Sequence, residues 1–140
     1  VNNQLITNTY VAHGRNSGGE YATQFSNTPE SLQSSLGFYI TGDIYKGKHG
    51  MSLQLSGIES GINDNAKQRA IVMHGADYVT EQFIKKQGYI GRSLGCPAVP
   101  QSEVKEIIQT IKGASLLYIY APDNRYVKKS KLINDPSLLG

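Results

Sequence analysis

The sequence predicts a mainly β domain with one or two packed helices. Fifteen glycines and nine tyrosines among 140 residues are typical of a strand-rich chain with many turns. Several short apolar or alternating runs are separated by Gly-, Asn- and Ser-rich segments, and one segment carries a clear helical repeat. The length suits a single domain over residues 1–140, which is enough chain to bury one core.

The N-terminal part predicts one strand and one long loop. Residues 4–12 alternate between two sets of side chains, as a strand does. Residues 13–36 are rich in Gly, Ser, Asn, Thr and Pro and predict a loop. A loop of this length in a compact domain is often functional.

The middle of the chain predicts strands joined by glycine turns. Residues 38–41 and 51–56 predict strands, and turns are expected at 42–43 and 47–50. Residues 63–65 predict a further turn. The short apolar run after it, residues 70–73, places His74 at the end of a strand.

The C-terminal part predicts helices and a final strand. Residues 80–86 predict a short helix, and residues 102–112 predict the clearest helix of the chain, begun by Ser102 as N-cap. Its apolar residues recur at the spacing of one helix face, namely Val104, Ile107, Ile108 and Ile111. Residues 115–120 predict a strand that ends before Pro122.

Charge and hydropathy narrow the classes of function. The net charge of +3 is mild, and its one cluster, Lys128, Lys129 and Lys131, is either a solvated surface or a contact with an anionic wall polymer. No aromatic residues interleave with this cluster, so nucleic acid is not predicted as a partner. The chain has no apolar stretch of about 18 residues, so no transmembrane segment is predicted. It begins with Val1, as a processed or trimmed product would.

The only cysteine, Cys96, predicts nucleophilic chemistry. It lies among small, turn-forming residues and can form neither an internal disulfide nor a thiolate metal cage. The three histidines, His13, His49 and His74, are each followed by glycine and show no metal-ligand spacing, so no metal or cofactor is predicted. A thiol nucleophile needs a base, and His74 is the leading candidate because it ends an apolar strand.

The order of these residues resembles a known family. His74-Gly75, a spacer of seventeen residues and then Ser93-Leu94-Gly95-Cys96 is similar to the signature of the L,D-transpeptidase catalytic domain, the YkuD-like family. The segments 47–53 and 63–66 resemble its murein L,D-transpeptidase branch, and the likeness runs from Val11 to Tyr120. The resemblance implies a β-sandwich or barrel-like sheet with helices packed on it.

The resemblance also implies roles for individual residues. Cys96 is the expected nucleophile and His74 its base, with Ser93 orienting the histidine or shaping the site. The backbone N–H groups of Gly95 and Cys96 are the expected oxyanion hole.

Substrate binding is assigned to Gly75, His49 and Arg92. The family usually has a polar or basic residue two places after the cysteine, whereas this chain has Ala98. Arg92 is therefore expected to hold a substrate carboxylate in that residue's place. Arg69 is a weaker candidate for the same contact.

The implied activity is acyl transfer on peptidoglycan stem peptides in the periplasm or cell envelope of a bacterium. A thioester on Cys96 would be passed to an acceptor amine to give a 3–3 cross-link, and carbapenems would acylate the same thiol. With water as the acceptor, the enzyme would be an L,D-carboxypeptidase. A different thiol-dependent cell-wall peptidase and a non-catalytic wall-binding module are the remaining alternatives.

Overall fold

The structure is a computed structural model that describes residues 2–138. Its five strands are β1 (Gly37–Gly47), β2 (Gly50–Gly57), β3 (Val72–Ala76), β4 (Ala98–Pro100) and β5 (Leu116–Ile119). Its helices are α1 (Glu81–Gln87), α2 (Val104–Ile111) and α3 (Asn124–Lys129), and a 3-10 turn follows at Pro136–Leu138. The predicted mainly β class with packed helices is confirmed.

Within residues 2–138 the strands form one five-stranded mixed sheet in the order β4-β3-β2-β1-β5. Neighbouring strands are antiparallel except β3 and β4, which are parallel. A parallel pair needs a crossover, and the crossover here contains α1. It returns the chain to the sheet edge directly after Cys96.

Helix α2 covers one face of the sheet through the predicted apolar stripe. Val104 and Ile108 are buried and pack with Leu53 of β2 and Met73 of β3. The predicted N-cap is wrong by one residue, because Glu103 is the cap and makes no capping bond with its side chain. Its carboxylate instead accepts a hydrogen bond of 2.6 Å from the Thr9 hydroxyl.

Two predictions of secondary structure are corrected. Residues 4–12 are not a strand; only Ala12 pairs with the sheet, through a bridge to Ala98. The reason is that Pro100, which would face Tyr10 in a longer antiparallel ladder, has no N–H group to donate. The turn predicted at Gly42-Asp43 is also wrong, since both residues lie within β1, where the pairing register shifts between Thr41 and Ile44.

Helix α3 is absent from the sequence prediction, and a buried carboxylate holds it in place. Glu59 is 4% exposed and accepts hydrogen bonds from the Tyr126 hydroxyl, at 2.8 Å, and from the Ser130 hydroxyl. It also accepts the N–H of Phe38 on β1 at 2.9 Å. The carboxylate thus joins the C-terminal segment to the sheet.

One lysine of the C-terminal cluster bonds to the rest of the protein, and the other two face solvent. The Lys129 ammonium donates to the Gly61 carbonyl at 2.7 Å, which fastens α3 to the turn after β2. Lys128 and Lys131 are exposed. A contact with a wall polymer therefore stays a prediction for these two residues.

Asn63 holds the turn that leads from β2 toward β3. Asn63 is fully buried. Its side-chain oxygen Oδ1 accepts the backbone N–H of Glu59 at 2.9 Å, and its side-chain nitrogen Nδ2 donates to the backbone carbonyls of Leu36 and Phe38 at 3.0 Å each. One side chain therefore satisfies three backbone groups that belong to two segments.

Asn63→Ala is expected to lower the free energy of unfolding by about 3 kcal/mol, because the Glu59 N–H and the Leu36 carbonyl lose this partner at a cost of about 1–3 kcal/mol each. The Phe38 carbonyl keeps its hydrogen bond from the Ile58 N–H at 3.1 Å. Urea unfolding followed by circular dichroism measures this change. Asn124→Ala is the matched control, since Asn124 is exposed at the start of α3. A loss below about 0.5 kcal/mol, the usual range for surface substitutions, would contradict this account of the turn.

Candidate active site

His74 lies in the middle of β3, not at the strand end that the sequence predicted, and it pairs with Ser52 on β2 and Ala98 on β4. The next residue, Gly75, faces α2, because a Cβ built there would lie 2.9 Å from Cγ1 of Val104. Successive side chains of a strand alternate between faces, so His74 lies on the face opposite α2. It is 1% exposed.

The protonation of the His74 ring is set by the carbonyl of Gly75. Nδ1 of His74 lies 2.9 Å from this oxygen. A carbonyl only accepts, so Nδ1 carries the hydrogen, and Nε2 of the neutral ring keeps its lone pair. His74 is therefore prepared to accept a proton at Nε2. Gly75, predicted to bind substrate, supplies the carbonyl that orients the base.

His49 lies against His74. It belongs to the turn between β1 and β2, and the two rings are stacked with centroids 4.1 Å apart and planes 13° apart. Burial lowers the pKa of His49, and the neighbouring charges of His74 and Lys48 lower it further. A neutral His49 can therefore cover the His74 ring without repelling the imidazolium that forms there.

Cys96 lies beside the start of β3. Cys96 precedes β4 by two residues, and its side chain packs against the core cluster that contains Leu53 and Met73. The Val72 N–H donates to Sγ at 3.5 Å, and the thiol donates to the Ala70 carbonyl at 3.7 Å. Neither of these hydrogen bonds involves His74.

The resting thiol is protonated. Burial raises the pKa of Cys96, against the opposing effects of the Val72 N–H and of the positive charges of Arg69 and Lys48. The ionised form is thus disfavoured until the proton can pass to His74. The site is arranged for proton transfer during attack rather than for a preformed thiolate.

Ser93 shapes the turn that carries the nucleophile. Its hydroxyl is buried, donates to the Cys96 carbonyl at 2.5 Å and accepts the Gly95 N–H at 3.1 Å. Gly95 has a φ of 126°, a value that L side chains rarely adopt. Of the two predicted oxyanion donors, Gly95 is thus bonded to Ser93, which leaves the Cys96 N–H as the candidate.

Arg92 is held by backbone carbonyls. Its guanidinium donates to Ile90 at 2.5 Å, to Gly91 at 3.1 Å and to Gly19, across the loop. Substrate binding by Arg92 stays a prediction.

Ala98 is fully buried in a small cluster with Ala12, Ala76 and Val79. A longer polar side chain would not fit into this cluster without displacing its neighbours. The family's usual polar residue therefore has no space at this position.

Arg69 lies closer to the nucleophile than its sequence position suggests. A Cβ built at Gly95 would lie 3.3 Å from Nη2 of Arg69. Sequence reasoning gave Arg69 little weight because the distance is created by the turn-rich segment before β3, which carries no periodic signal. No group of His, Cys, Asp and Glu within residues 2–138 could hold a metal ion.

The fold, with His74 on β3 and Cys96 beside the start of that strand, defines a candidate thiol-dependent enzyme. The family model described as the L,D-transpeptidase catalytic domain matches residues 1–120, and the chain belongs to this family. Membership indicates a function related to peptidoglycan and the cell wall. Neither the curated proteins nor the solved structures include a match to this chain. No helix within residues 2–138 is long and apolar enough to cross a membrane.

The rate at which iodoacetamide alkylates Cys96 is expected to rise with pH and to reach half its maximum above about pH 8.5, the ordinary pKa of the thiol. The reason is that burial favours the neutral form, so the reactive thiolate appears only as pH rises through the raised pKa. Mass spectrometry of quenched samples gives the rate. The same protein in urea is the control and should return to the ordinary midpoint. A midpoint near pH 6 in the folded protein would contradict the protonated resting state.

Proposed function

We propose that the protein is a cysteine-dependent L,D-transpeptidase that acts on peptidoglycan stem tetrapeptides. The observation that carries the proposal is the bond from Nδ1 of His74 to the Gly75 carbonyl, 2.9 Å long. It leaves Nε2 as a proton acceptor on β3, and the Val72 N–H of the same strand donates to Sγ of Cys96 at 3.5 Å. Family membership supplies the substrate class.

In the first half-reaction the thiol proton passes to Nε2 of His74 while Sγ of Cys96 bonds to the carbonyl carbon of the third stem residue. The negative charge on the carbonyl oxygen is met by the Cys96 N–H. When the C–N bond breaks, the imidazolium returns the proton to the departing amine of the terminal D-residue. A thioester on Cys96 remains.

In the second half-reaction the side-chain amine of another stem attacks the thioester. His74 takes a proton from this amine, the new C–N bond forms and the C–S bond breaks. The proton then returns to the sulfur of Cys96, which restores the neutral thiol. The product is a 3–3 cross-link, and water in place of the amine would give L,D-carboxypeptidase activity.

The other classes are less well supported. In papain-like hydrolases the cysteine usually precedes the histidine in the chain, whereas His74 precedes Cys96 here. A non-catalytic wall-binding module would have no need of a buried histidine whose tautomer is fixed. We therefore retain acyl transfer, in an exported protein of the cell envelope, as the proposal.

His74→Gln is expected to lower the rate of cross-linking of purified tetrapeptide muropeptides by two to four orders of magnitude, the usual contribution of a general base. Cys96→Ala should leave no turnover and no thioester by intact-mass analysis, and His49→Gln should reduce the rate much less. Liquid chromatography with mass spectrometry reports donor, product and adduct together. If Cys96→Ala retained more than a few per cent of the activity, the thiol would not be the nucleophile.

A carbapenem is expected to add once per chain at Cys96, whereas ordinary penicillins should react poorly. Attack of Sγ on the strained lactam carbonyl forms a C–S bond and opens the ring, and the amine stays tethered, so the acyl-enzyme is released slowly. Peptide mapping locates the adduct, and Cys96→Ala is the control that should carry none. The absence of an adduct on reduced wild-type protein would argue against an open acyl-transfer site.

A further inference from the structure

Arg69 is a half-buried cation that bonds only to uncharged groups. Nη1 donates to the carbonyl of Ser26 at 2.8 Å, and Nη2 donates to the carbonyl of Gln33 at 2.6 Å. Nε is buried and has no hydrogen-bond partner within residues 2–138. The one ion pair formed by these residues joins Asp123 and Arg125, so no carboxylate balances Arg69.

The guanidinium of Arg69 lies directly behind the nucleophile turn. A Cβ built at Gly95 would meet Nη2 of Arg69 at 3.3 Å and the Gln33 carbonyl at 2.9 Å. The Ser34 hydroxyl completes this layer, because it donates to the Gly95 carbonyl at 3.3 Å. Arg69, residues 33–34 and Gly95 are therefore packed together, and the next residue along the chain is Cys96.

Removing a positive charge from water without a carboxylate partner is unfavourable, so the half-buried position of the Arg69 guanidinium calls for an explanation. Burial lowers the pKa of Arg69, whereas Tyr39 and Cys96, which carry negative charge when ionised, act in the opposite direction. Of these two groups, Cys96 is the one that gains negative charge in the proposed reaction. Arg69 thus faces a site that becomes anionic during attack.

We propose that Arg69 is a positioning residue for Cys96, which fixes the nucleophile turn from behind and offsets the negative charge that develops at Cys96. The inference deepens the proposed function and rests on it for the attack step. The hydrogen bonds of Arg69 go to Ser26, Ser31, Gln33 and Ser35, and none of them reaches Sγ of Cys96. Its effect is carried by charge and by the packing against Gly95.

Other groups also face the thiol. Lys48 approaches from the turn between β1 and β2, His74 lies on β3, and the hydroxyls of Tyr39 and Tyr78 come from β1 and the segment after β3. Lys48 is exposed, so water and salt screen its charge. Arg69 is half-buried and is screened less, which makes Lys48 the matched control.

The test measures alkylation of Cys96 by iodoacetamide across pH in wild type, Arg69→Gln, Arg69→Lys and Lys48→Gln. Arg69→Gln should raise the midpoint by about one unit, the lower end of the effect of a nearby opposite charge. Arg69→Lys keeps the charge and should fall between Arg69→Gln and wild type. Lys48→Gln should move the midpoint by less than half a unit. Thermal melts establish that each variant is folded.

A folded Arg69→Gln protein with an unchanged midpoint would overturn the proposal and make Arg69 a purely structural residue. If Arg69→Gln does not fold, Lys48→Gln still decides: a shift of about one unit there would assign the stabilising charge to Lys48, and a small shift would support Arg69. Alkylation needs no muropeptide, so this test can fail while cross-linking succeeds, and the reverse.

Discussion

The parallel pairing of β3 with β4 sets His74 level with Ala98 and places the turn that carries Cys96 against the start of β3. The same pairing holds His74 between two neighbouring strands, and the Gly75 carbonyl holds Nδ1 of His74. A shift of one residue along β3 would move His74 to the opposite face of the sheet, because side chains alternate along a strand.

The buried polar groups around His74 and Cys96 explain why the turn-rich parts of the chain adopt one arrangement. Asn63 and Glu59 fix the segment after β2, and Arg69 and Ser93 fix the loops on either side of Gly95. These side chains bond mostly to backbone groups, so each holds a loop rather than another side chain. Burial raises the pKa of the Cys96 thiol, so in the proposed mechanism the thiol ionises only when its proton can pass to His74.

The sequence was sufficient to predict what depends on local pattern or on the motif. The stripe on α2 predicted its buried face, and the spacing from His74 to Cys96 predicted the family. The sequence was insufficient where tertiary contacts determine the local structure. Ala12 pairs with the sheet but residues 4–11 do not. Helix α3 is held by Glu59, which is far away in the chain. Arg69 was undervalued for the same reason, since its closeness to Gly95 arises only from folding.

The most direct test of this account is the tautomer of His74, read from the ¹⁵N shifts of its ring nitrogens and their couplings to ring protons. His74→Gln assigns the signals. At a pH where His74 is neutral, Nδ1 should show the shift of a protonated nitrogen and Nε2 that of a nitrogen with a free lone pair. The reverse pattern, with the proton on Nε2, would leave the ring unable to accept the thiol proton there and would contradict the proposed mechanism.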